Sequence, residues 1–215
     1  MTETSEFIER IVKDGEAVKP VAPPLTRFLF WILSALVLII CGILIIGPRT
    51  DLSLIINSKR FILETFLLAV LVVLSGATAL SLSIPDESYG RLRIVLPTIT
   101  LAGWLTIITY HLGCNCYVAG YSALNPGPGL RCTAGILMIG IIPGIILFFL
   151  IKRAAPVNLR LVGFFSFLSL LAVGALALQF ICDNPNPAHV LVWHVLPVVT
   201  IAILGSLAGA KLFKW

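Results

Sequence analysis

Charge is scarce in this chain. Only 12% of its 215 residues are Asp, Glu, Lys or Arg, and 59% are hydrophobic. A soluble domain carries about 25% charged residues, so a water-exposed globule is excluded. Ionisable groups are scarcer still inside the apolar stretches. Glu64 sits in one, four residues after Arg60, where a same-face pair accounts for it. No Asp, Lys or Arg falls at mid-stretch, which argues against ion transport, since charge has to be exchanged there. Catalytic patterns are missing too: there is no G-x-S-x-G, no H-E-x-x-H, no P-loop and no C-x-x-C. The net charge of +5 is spread over the ends of the apolar runs, where it orients helices and meets lipid headgroups. It lacks the basic–aromatic interleaving that nucleic acid calls for, so no direct nucleic-acid partner is expected. The first apolar run starts near Phe28 with no small-x-small cleavage site after it, and is expected to be a retained span.

What the chain does have is apolar runs of about the 20 residues a helix needs to cross a bilayer. There are six: Phe28–Gly47, Phe61–Ile84, Ile94–Leu112, Cys132–Ile151, Leu161–Ile181 and Val190–Ala210. They predict an all-α, polytopic membrane protein, a six-helix transmembrane bundle over residues 28–210. Residues 1–27 form a soluble segment before it, and residues 211–215 a basic and aromatic tail after it. Gly140-x-x-x-Gly144 and Gly205-x-x-x-Gly209 predict close helix approach. Pro97, Pro143 and Pro197 sit inside spans, where neighbouring helices satisfy the freed carbonyls. On alternate sides of the six runs the Lys and Arg residues divide unequally. Eleven fall with the termini, from Arg10 through Arg91, Lys152 and Lys214; four fall opposite (Arg49, Lys59, Arg60, Arg131). Positive-inside then places both termini in the cytoplasm and the odd-numbered loops outside.

The soluble segment reads as a short helix followed by a stiff arm. Thr4 or Ser5 is the expected N-cap, with the helix running to Asp14 and Gly15 as its stop. Phe7, Ile8, Ile11 and Val12 share one face. So short a helix is marginal alone, and Lys19 to Pro24, with three prolines, is an extended spacer. The combination suits folding on a partner; a tail with no partner is the alternative.

The one long polar break, Gly113 to Cys132, holds Cys114, Cys116 and Cys132, and Cys182 follows in a short break assigned to the same side. Cys41 falls inside the first span and reads as a packing thiol. Four outer thiols allow three pairings. Cys114 with Cys116 would close a strained ring and ranks last, while adjacent helices could bring Cys132 and Cys182 within disulfide range. His111, Asp183, His189 and His194 lie around them. Thiolate with imidazole is a soft-metal set, suited to zinc, cadmium or copper(I), with Cys132, Cys182, Cys114, Cys116, His111 and His189 as candidate ligands. On the residues alone a structural disulfide, a redox or metal sensor and a thiol catalyst all stay open.

Several stretches together resemble the NrsF-type membrane anti-sigma factors of bacteria. They are Phe7-Ile-Glu-Arg-Ile-Val-Lys-Asp14, Ala17-Val-Lys-Pro20, Pro23-Pro-Leu-Thr-Arg27, Cys182-Asp-Asn-Pro-Asn-Pro-Ala-His-Val-Leu-Val-Trp-His194 and the ending Lys-Leu-Phe-Lys-Trp215. The resemblance covers nearly the whole chain. It implies a non-enzymatic regulator of the bacterial inner membrane, whose N-terminal segment holds an extracytoplasmic-function sigma factor. Phe7, Ile8, Ile11, Val12 and Asp14 would be the binding residues. It implies Cys132 and Cys182 as the sensing pair for metal or oxidative stress. Cys114 and Cys116 are additions to that pattern.

Two other classes compete. A membrane thiol oxidoreductase would pass electrons between outer cysteines and a quinone, and predicts a low-pKa pair. A small transporter or metal exporter would need polar groups lining a path through the bundle, and the spans offer few. Both leave the N-terminal helix and arm without a role.

Overall fold

The structure is a computed structural model that describes residues 3–14, 21–84, 90–114, 124–154 and 156–214. Among the described residues it is all helical. The order is α1 (Glu3–Asp14), α2 (Pro24–Ile46), α3 (Leu52–Ile55), α4 (Lys59–Ser81), α5 (Arg91–Cys114), α6 (Pro126–Lys152), α7 (Leu159–Gln179), α8 (Pro187–Val190), a π-turn (Leu191–Val195) and α9 (Leu196–Leu212). Six helices are long and apolar enough to cross a membrane, the last running unbroken from Pro187 to Leu212.

Local chemistry sets the helix starts. Ser58, Asn125, Asn158 and Asn186 each cap a helix with the side-chain oxygen, accepting from the backbone N–H of Phe61, Gly127, Leu161 and Ala188. Pro24, Pro126 and Pro187 occupy first-turn positions, where a missing N–H costs nothing. Several boundaries differ from the sequence reading, and α2 already begins at Pro24, inside the stretch expected to be soluble arm. Helix α1 begins at Glu3, so Thr4 and Ser5 lie inside it. The Asn125–Pro126 cap starts α6 well before Cys132, which lies more than a turn inside. Cys114 is the last residue of α5, not part of the polar break.

The bundle is built around α7, which is buried along most of its length. Helices α4, α6 and α9 pack on it, α2 crosses α4 and α6, and α5 lies along α4. Lipid and core are equally apolar, so close fit decides which faces meet. A Cβ on Gly163 of α7 would collide with the Gly205 carbonyl and lie 2.7 Å from Gly209 Cα on α9. A Cβ on Gly140 of α6 would strike the Leu170 carbonyl of α7. Both glycine pairs in the sequence therefore sit at helix crossings. Helix α2 buries only Arg27, Trp31, Ala35 and Ile39, one stripe at four-residue spacing. Cys41 is off that stripe and exposed, which corrects its reading as a packing thiol.

The alternating helices give the bundle two distinct ends. The start of α2 and the ends of α4, α6 and α9 meet at one, the arm end. The end of α2 and the starts of α4, α6 and α8 meet at the other, the thiol end.

Candidate thiol–imidazole site at one end of the bundle

Three elements build the site. Helix α6 supplies Cys132, the loop after α7 supplies Cys182, and α8 with the π-turn supplies His189 and His194. The last pair is unexpected from helical periodicity. Five residues of α-helix turn the chain about 140° past one revolution, so the two rings would diverge. The π-turn widens the helix between them, and the ring centroids are 5.5 Å apart. Pro197 has no N–H, which frees the Trp193 carbonyl. Thr133, next to Cys132, donates its hydroxyl to that carbonyl at 2.8 Å and ties α6 to the π-turn.

The Cys132 and Cys182 sulfurs are 3.4 Å apart, and both thiols are free. His189 Nε2 lies 3.5 Å from the Cys182 sulfur. One ligand atom from each of Cys132, Cys182, His189 and His194 falls within 4.8 Å of every other. Both imidazoles are buried, and His189 Nδ1 and His194 Nε2 have no hydrogen-bond partner among the described residues. Cys182 is held well below the ordinary thiol range, first by the hydrogen bond from Cys132 and then by His189 and His194, against the opposing effect of burial.

The donor set fits a soft cation. Zinc bonds of about 2.0–2.3 Å make tetrahedral edges of about 3.3–3.8 Å. Four atoms already within 4.8 Å of one another need to close by only about 1 Å to reach them.

The loop that carries Cys182 is braced. The Arg49 N–H donates to the Phe180 carbonyl (2.9 Å), the Thr50 N–H to the Asp183 carboxylate (2.8 Å) and the Arg60 guanidinium to the Pro185 carbonyl (3.0 Å). Arg49 is itself held by Asp51 at 2.6 Å, and that contact keeps the Asp51 carboxyl below the usual carboxylate range. Arg60 pairs with buried Glu64 at 2.7 Å, as the sequence spacing implied, and Glu64 also accepts from Gln179 at 3.2 Å. A cavity of about 70 Å³ beside Glu64 and Gln179 reaches Cys182 and His194. A groove of about 300 Å³ on the other side, walled by Ile46, Pro128 and Ile181, reaches Cys132 and His189.

Of the candidate ligands, the fold gathers Cys132, Cys182 and His189. It adds His194, which the sequence placed nearby but outside the ligand set; the His-x4-His spacing with Pro197 three residues on was the available signal. Cys114 and His111 lie on the last turn of α5 and are not in the group, His111 meeting Tyr110 edge-on. Cys116 is outside the described residues. At the other extreme of the chain, Phe7, Ile8, Ile11 and Val12 are each more than half exposed along α1, and Asp14 ends that helix.

Fold and site together define a multi-span, all-helical membrane protein with a thiol–imidazole cluster at one end of its bundle. The chain matches the family model described as NrsF, negative regulator of sigma F, over residues 11–215, and it belongs to that family. It is therefore a regulator with a sigma factor as its partner. No curated protein and no solved structure matches it.

Proposed function

We propose that this protein is an anti-sigma factor of the bacterial inner membrane, with both termini in the cytoplasm. It holds an extracytoplasmic-function sigma factor through α1 and releases it when the thiol–imidazole site meets a soft metal ion or an oxidant. The observation that carries the reading is the division of the molecule. Four soft donor groups gather at one end of the bundle, and an apolar helix face, more than half exposed among the described residues, precedes the other. Phe7, Ile8, Ile11 and Val12 suit the helix-in-groove mode, in which anchors on one face fill a partner's groove. The inward excess of Lys and Arg supports the orientation. Arg49 and Arg60, which run against it, are each neutralised by a carboxylate.

Zinc, cadmium or copper(I) would bind Cys132, Cys182, His189 and His194; an oxidant would instead join the two sulfurs. The test is co-purification of the sigma factor with the solubilised protein. Phe7→Asp with Ile11→Asp is expected to leave the protein in the membrane and abolish co-purification. Sigma factor retained by that variant, or absent from the wild type, overturns the reading. The depressed Cys182 thiol favours one second reading, quinone-linked thiol oxidation, which predicts turnover of a soluble quinone by the purified protein.

A further inference from the structure

The site and the arm are at opposite ends of the bundle, and α6 touches both. Helix α6 carries Cys132 in its second turn and Leu150 in its last. From Cys132 to Leu150 is 18 residues, about 27 Å of helix.

At the arm end α6 is bonded to α2, the helix that continues from the N-terminal arm. Trp31 Nε1 donates to the Pro143 carbonyl at 3.1 Å, and the Arg27 guanidinium donates to the Leu150 carbonyl. Arg27 Nη2 also donates to Ser83 Oγ, just past α4, at 3.2 Å. Both side chains are buried. The Trp31 ring fills a notch that exists because residue 76 is glycine; a Cβ there would stand 2.5 Å from Trp31 Cη2. Arg27 brings a cation to the negative ends of α4 and α6, with its Nη1 unpartnered among the described residues.

The point of attachment is also where α6 yields most easily. Pro143 has no N–H, so the Ile139 carbonyl loses its partner and the ladder is broken there. Closing the sulfurs from 3.4 Å to a disulfide's ~2.05 Å requires about 1.3 Å of approach. The Cys182 loop is braced by Arg49, Thr50 and Arg60, and α6 is tied beside Cys132 by Thr133 on the Trp193 carbonyl. A movement of α6 would reach Trp31 at the Pro143 bend and Arg27 at the last turn.

We propose that Trp31 and Arg27 are the positioning residues that carry the state of the Cys132–Cys182 pair, through α6, to the root of the N-terminal arm. The inference rests on the anti-sigma reading for its purpose, and on these contacts for its path.

The test uses the full chain in nanodiscs with Cys41, Cys114 and Cys116 changed to Ser. Diamide, a diazene, takes two electrons and two protons from the two thiols and becomes the hydrazine, and the S–S bond forms. A protein about 2 Da lighter reports that step independently of the arm. Hydrogen exchange is then followed in peptides covering residues 21–31. Oxidation is expected to change their exchange by about threefold or more. In Trp31→Phe, which keeps the ring and removes the N–H, and in Arg27→Gln, the mass loss is expected to persist while the exchange response disappears. Arg27→Lys is expected to restore part of it. If Arg27→Gln fails to fold, Trp31→Phe decides alone. An unchanged response in Trp31→Phe, or no response in the parent protein, overturns the proposal. The two readings separate cleanly. A Trp31-dependent response without any sigma factor leaves the coupling standing and removes the anti-sigma reading. Sigma factor released by diamide equally from parent and variants does the reverse.

Discussion

Zinc binding by the reduced protein should release one fewer proton than its two cysteines suggest. An ordinary thiol, at about 8.5, is roughly 0.9 protonated at pH 7.5. Two such thiols would give up about 1.8 protons as they become ligands. In this fold Cys182 is held well below the ordinary thiol range, chiefly through its contact with Cys132, and is expected to be thiolate at pH 7.5. Only about 0.9 thiol proton is then left to release. Calorimetry in two buffers of different ionisation enthalpy measures the count, and Cys182→Ser supplies the control in which the imidazole contributions cancel. The variant should bind zinc more weakly yet release the same number of protons, within about 0.2. The sign with pH follows from a depressed native value. As pH falls through it, Cys182 takes up a proton, release per zinc rises and affinity drops; toward the ordinary thiol range the difference from a normal thiol vanishes. A variant that releases about 0.9 proton fewer than wild type would show Cys182 to be an ordinary thiol. Absence of zinc binding would refute the four-ligand site itself.

Two further outcomes concern the scaffold. Gly163→Ala should destabilise the bundle by about 2–3 kcal/mol in SDS titration, because backbone meets backbone at that crossing and no side chain can swing away. Gly103→Ala, with nothing nearer than Leu67 at 3.9 Å, should be neutral or slightly stabilising; equal effects at the two positions would contradict the packing. Glu64→Leu should cost about 2–3 kcal/mol by stranding Arg60 and Gln179, and adding Arg60→Met should recover much of it. No recovery would mean the ion pair matters for more than its own burial.

Much of this protein was legible one residue at a time. Hydropathy and length are local properties, so the six spans emerged within a few residues of their ends. The Arg60–Glu64 pair emerged from helical spacing alone, and the glycine pairs marked real crossings. The exposed face of α1 is likewise a matter of periodicity. Boundaries moved where capping chemistry outvoted hydropathy, as at Asn125–Pro126, which puts Cys132 inside α6 and not at its start.

What only the tertiary structure decided has one physical root: it depends on distances between residues far apart in sequence. A uniformly apolar helix does not reveal which face meets lipid and which meets protein, so Cys41 reads as a packing thiol and is exposed. Local periodicity assumes 100° per residue, and the π-turn breaks it, which is why His194 joins His189. The grouping of Cys132, Cys182 and two imidazoles depends on α6, the braced loop and the π-turn arriving together. Arg27 looked like one more basic residue ahead of a span. Only the packed ends of α4 and α6 turn it into a buried cation joining the arm's root to the helix that carries Cys132.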